Sequence, residues 1–170
     1  MPFLLRKIRK SRWLASPEET PYLAADETPA DPLADLNTKN NALSVWHVEE
    51  DRSNLQRVIT ALAAASEDLS NVDYALFEYH LLQGIHVKVS ETMGASPDES
   101  ANAWHRDLGE LSAKALLLLA SRIFRHAEKE RVFEKTIGQW IYGAVANAWI
   151  ARSRLSTVPA LPSAYALLDH

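Results

Sequence analysis

A chain of 170 residues, 47% hydrophobic and 24% charged, is long enough to bury one sizeable core and too ordinary in composition for wholesale disorder or a fibrous class. Its net charge of −4 withholds the broad positive field that nonspecific nucleic-acid binding requires. With no cysteine, disulfides, thiolate metal sites and thiol nucleophiles are excluded.

Residues 1–17 place apolar side chains ahead of basic ones, unlike a secretory signal, although their lack of acidic residues is shared with organelle transit peptides. The longest apolar run, residues 115–120, is far shorter than a membrane span. A cytoplasmic location is therefore the expectation. Arg6, Lys7, Arg9, Lys10 and Arg12 crowd together beside Phe3, Leu4, Leu5, Ile8 and Trp13, whereas residues 17–36 carry Glu18, Glu19, Asp26, Glu27, Asp31 and Asp35 without a cation. Pro17, Pro21, Pro29 and Pro32 bar a continuous helix there. Residues 1–40 are predicted to be an extended, exposed arm and strap, and residues 41–170 a single globular α+β domain.

Within that domain, residues 42–48 alternate Leu43, Val45 and His47 against Ser44, Trp46 and Val48, which predicts a strand. Leu55, Val58, Ile59 and Leu62 then recur at helical spacing, and predict a helix over about 53–66. Residues 73–83 fit either a strand over 73–78 followed by a helical turn, or a helix throughout; the strand is preferred. Residues 85–89 alternate as a further strand, after Gly84. Ser96, Pro97, Asp98 and Glu99 form a helix-start signal: a hydroxyl cap, a proline at the first position and carboxylates near the positive end. A long helix to about 127 is predicted, with Trp104, Leu108, Leu111, Ala115 and Leu118 on one seam and a leucine-rich middle covered on several sides. A last helix, about 131–153, has Phe133, Ile137, Trp140, Ala144 and Ala148 on one stripe. Past Pro159 and Pro162, the apolar tail residues Leu161, Tyr165, Leu167 and Leu168 are expected to dock back. The predicted architecture is α+β: a helix-dominated single domain with a small sheet of about three short strands and two long C-terminal helices, or an all-α bundle if 73–83 is helical.

The candidate chemistry is sparse. On the predicted long helix, Asp98, Asn102 and His105 fall at i, i+4 and i+7, a ledge suited to acid–base or metal-dependent hydrolysis. His47 and Glu49 project together from the first predicted strand and can join that ledge. Each group also has a structural explanation, as a solvated helix face and as first-turn charges for the next helix. No serine sits on a glycine-flanked strand-to-helix turn, and the five glycines form no phosphate cradle. No metal site and no cofactor is predicted.

The basic run Arg6, Lys7, Arg9, Lys10 and Arg12, with Trp13, can grip an acidic protein groove, an anionic lipid or RNA, or can fold against its own acidic strap. Of the five tryptophans, Trp149 lies nine residues past Trp140 and off its face, the placement of a rim contact. The leading expectation is a non-enzymatic adaptor, immunity-type or regulatory subunit that binds a protein partner, or a second copy of itself, through arm and helical surface. The alternatives are a small hydrolase or metal-dependent enzyme using the His/carboxylate ledge, and a nucleic-acid-binding factor using the basic arm.

Overall fold

The structure, a computed structural model, describes residues 1–14 and 27–155. The expectations for Glu18, Glu19, Pro17, Pro21 and Asp26, and for the tail beyond residue 155, lie outside the described residues. The elements follow in the order β1 (Phe3–Ile8), β2 (Leu43–Val48), α1 (Leu55–Ala64), β3 (Val72–Glu78), β4 (Lys88–Glu91), β5 (His105–Gly109), α2 (Ala113–His126), β6 (Glu128–Val132) and α3 (Glu134–Ala146). Short 3-10 turns punctuate them, among them Lys10–Trp13, Asp31–Asp35, Tyr79–Leu82 and Ala101–Trp104.

The six strands form one antiparallel sheet in the order β4-β5-β2-β1-β3-β6. Because alternate side chains point to opposite faces, the sheet feeds two cores. Leu4, Leu43, Val45, Ala75, Phe77 and Leu108 meet Ala115, Leu119, Ala120 and Ile123 of α2 on one face. Leu5, Trp46, Val48, Val72, Tyr74 and Leu76 meet α1 and α3 on the other. The result is three layers, α2 on one side and the α1–α3 pair on the other, with no described helix long and apolar enough to cross a membrane.

This architecture corrects the expected one. The class is α+β, but a six-stranded sheet organises it in place of about three short strands, and the all-helical alternative falls with it. Three sequence segments account for the difference. Residues 3–8, expected in an exposed arm, are the strand β1 between β2 and β3, with Leu4 and Leu5 at 0% exposure. Residues 105–109, expected inside a long helix, are β5, hydrogen-bonded to β2 and β4. Residues 128–132, expected to lead into and begin the last helix, are β6 at a sheet edge, where charged residues blunt edge-to-edge pairing.

The helix expected from residue 97 to about 127 is thereby cut to its second half. Its cap is Ser112, whose hydroxyl accepts from Ala115 N, and not Ser96. Its leucine-rich middle is covered on one side only: Leu117 and Leu118 are 54% and 40% exposed. The expected last helix likewise begins later, at Glu134, with Phe133 exposed before it. Elements with a strong local period, β2 and α1, lie close to their predicted positions, as does β3, the strand preferred over a helix for residues 73–78.

Candidate functional site

The His/carboxylate ledge is not assembled. Trp46 pairs with His105 across β2 and β5, so His105 shares a sheet face with Trp46. His47, the next residue, points to the opposite face. His105 packs edge-on to Trp46, at 5.4 Å between ring centroids, and its Nδ1 is 2.8 Å from the Thr92 hydroxyl. Burial lowers its basicity below the ordinary histidine value. His47 Nδ1 instead meets the Tyr79 hydroxyl at 3.2 Å, and its Nε2 is 3.6 Å from Glu49. Burial raises the Tyr79 phenol, which disfavours a reactive phenolate there.

Asp98 and Asn102 are structural neighbours of another kind. Asn102 Oδ1 accepts from the Ser96 amide and hydroxyl while its Nδ2 donates to Ser96 O, closing the turn that the helix-start signal had suggested was helical. Asp98, 1% exposed, accepts from Ala101 N and takes the Arg57 guanidinium on both oxygens, at 2.6 and 2.9 Å. Among the described residues, no group of three or more His, Asp or Glu side chains is placed to hold a metal ion.

The basic run is drawn inward. Arg6 donates to Ser44 O and Asp35 O, Lys7 to the Ser66 hydroxyl, and Lys10 approaches Glu130 at 3.8 Å. The Asp35 carboxylate collects Arg9 N, the Arg12 guanidinium and the Trp13 indole N–H, each within 2.7–2.9 Å. Trp13 is buried in the core beside α2. The acidic strap thus holds the run against the sheet, the structural alternative noted from sequence.

A groove of about 940 Å³ opens where the β2–α1 loop, the first turn of α1, the Ala101–Trp104 turn and the chain after α3 converge. Glu49, Glu50 and Asp51 form its acidic lip, and Arg57, Trp104 and Trp149 its wall. The lip is held from below. Asn54, buried, accepts Glu49 N and donates to His47 O, while Arg52, at φ 61°, reaches Glu128 and lies 4.8 Å from the Phe3 ring. Asp51 accepts the Ser53 amide, a bond that holds its carboxyl below the usual range.

The wall is equally built. Ala148, at φ 57°, turns the chain out of α3 so that Trp149 reaches Arg57, whose guanidinium carbon is 4.6 Å from the Trp149 ring and 5.8 Å from that of Trp104. Trp149 remains 41% exposed. Beyond it a second depression of about 510 Å³, lined by Pro97, Glu99, Ser100 and Arg154, shares Arg57 and Trp149 with the first. The exposure of Trp149 was legible from sequence. Arg57 was not, and Trp104 was read as core; the pairing of Arg57 with Asp98 spans 41 residues and leaves no local pattern.

The chain was compared with protein-family models, with curated proteins and with solved structures, and no match was found.

Proposed function

We propose that this is a non-enzymatic binding protein that recognises a macromolecular partner through the groove between the acidic lip and the two tryptophans. The observation that carries the reading is Trp149: a large aromatic ring left 41% exposed, yet held in place by an arginine that a buried carboxylate itself immobilises. A rigid, half-exposed indole costs little conformational entropy on binding, which is why tryptophan and arginine dominate binding hot spots. The residues a hydrolase would need argue for binding over catalysis, since His47 and His105 face opposite sides of the sheet. The nucleic-acid alternative loses its main support as well, because four of the five cations of the basic run, Arg6, Lys7, Lys10 and Arg12, are engaged with Asp35, Ser66, Glu130 and backbone carbonyls.

Site-specific photo-crosslinking tests the reading. A photoreactive residue in place of Gln56 in the groove should give a discrete adduct that Trp149→Ala removes, whereas the same probe at Leu117 on the far face of the molecule should give none. Equal labelling from both positions, or an adduct indifferent to Trp149→Ala, would overturn it.

A further inference from the structure

We infer that the group this groove takes is an organic cation, a guanidinium or alkylammonium borne by a basic segment of another protein; the inference rests on the binding reading above. Three features converge. The first is charge: the lining carries Glu49, Glu50 and Asp51 against one cation, Arg57, whose charge Asp98 already meets through two hydrogen bonds. An anion entering here would face three carboxylates at close range, and a purely apolar ligand would strip them of water without replacing it. The lip already holds one ammonium, that of Met1 on Glu50.

The second feature is the aromatic wall. Trp104 and Trp149 accept the Arg57 guanidinium against their rings at 5.8 and 4.6 Å, so the geometry for cation–π stacking is realised within the protein itself. The part of Trp149 that Arg57 leaves uncovered offers the same surface to an incoming side chain, whose aliphatic stem can lie on the indole while its head reaches the lip.

The third feature is provenance. Residues 15–26 and 156–170 contain no lysine or arginine, so neither segment can supply the cation. Arg6, Arg12 and Lys10 are held elsewhere. Apart from the Met1 ammonium on Glu50, the cation is therefore supplied from outside the chain, and a volume of about 940 Å³ exceeds what one small amine fills.

Fluorescence anisotropy with labelled octa-arginine, octa-lysine and octa-glutamate decides the matter, with unlabelled arginine amide and spermidine as competitors. Octa-arginine or octa-lysine should bind the full chain, and Trp149→Ala and the pair Glu49→Gln/Asp51→Asn should each weaken binding about tenfold. The second variant keeps the oxygen that caps Ser53 and lies in an exposed loop, so it tests charge without unsettling the wall. The inference is overturned if cationic peptides do not bind, if neither variant affects their binding, or if arginine amide or spermidine competes at equal concentration. Binding of octa-glutamate lost on Trp149→Ala would refute the cation while leaving the groove as a binding site; failure of the crosslinking contrast would remove the groove itself.

Discussion

Asp98 shows how one residue organises this surface. A carboxylate at 1% exposure is tolerable only when its oxygens are satisfied, and Arg57 and Ala101 N satisfy them. In return Asp98 fixes the guanidinium against which Trp149 stacks. His105 carries a different obligation. Its burial against Trp46 favours the neutral ring, so its basicity is lowered from the ordinary value of 6.5, with Asp107 opposing and Arg106 and Arg6 adding to the shift. The unfolded chain then binds the proton more readily than the folded one. Stability from this source is present above about pH 6.5 and falls as pH drops below it, until the folded ring also protonates. Asp73 acts in a separate window: the Arg131 guanidinium holds its carboxyl below 3.8, so its contribution is lost only as pH falls beneath that value. Urea midpoints measured across this range should therefore decline in two stages, and His105→Gln should flatten the upper stage alone. An unchanged upper slope would show that His105 is not its source.

At the scale of elements, the segment between β4 and β5 is the informative one. It carries the helix-start signal of Ser96 and Pro97, yet it folds as a compact turn because Asn102 satisfies Ser96 from within. Gly94 makes that closure possible. A Cβ there would stand 2.8 Å from Asn102 Oδ1, 3.0 Å from the Trp46 ring and 3.2 Å from His105 Cβ, all constrained neighbours. Gly143, inside α3, is the opposite case, with nothing within 4 Å of an added Cβ. Gly94→Ala should accordingly destabilise the fold by about 1–3 kcal/mol through overpacking. Gly143→Ala should stabilise it by about 1 kcal/mol through helix propensity. Thermal melts of the two variants check both signs. The turn also explains the lost ledge: Asp98, Asn102 and His105 have α-helical spacing in the chain, but the backbone there is one short 3-10 turn, Ala101–Trp104, that runs into β5 at His105, so they share no α-helical face.

For the whole molecule, the decisive placement is β1. It bonds to β2 on one side and β3 on the other, through registers such as Leu5↔Trp46 and Leu5↔Leu76, and its side chains enter both cores. Deleting residues 1–8 should therefore abolish cooperative folding, seen as loss of the thermal transition in circular dichroism. A deletion variant that melts near the wild-type temperature would mean that the strand is dispensable. The basic residues of β1 belong to this same arrangement: Arg6 is spent on Ser44 O and Asp35 O, binding the strap to the sheet. Their charge pattern alone pointed to an exposed arm because the nearest acceptor of Arg6 in sequence, the Asp35 carbonyl, lies 29 residues away, beyond the reach of any local period.

What the chain's own pattern determined is what one segment can settle with its immediate neighbours: the absence of cysteine chemistry, the alternation of β2, the apolar stripe of α1 and the exposure of Trp149. A helix closes its hydrogen bonds within itself, so its stripe is written locally. A strand closes them on other strands, so β1, β5 and β6 became strands only when β2, β3 and β4 lay beside them. The groove followed from the same rule. Tertiary structure alone brought Asp98 to Arg57 and Trp149 onto that arginine, because buried charge is stable only with its partner, and that partner came from a distant part of the chain.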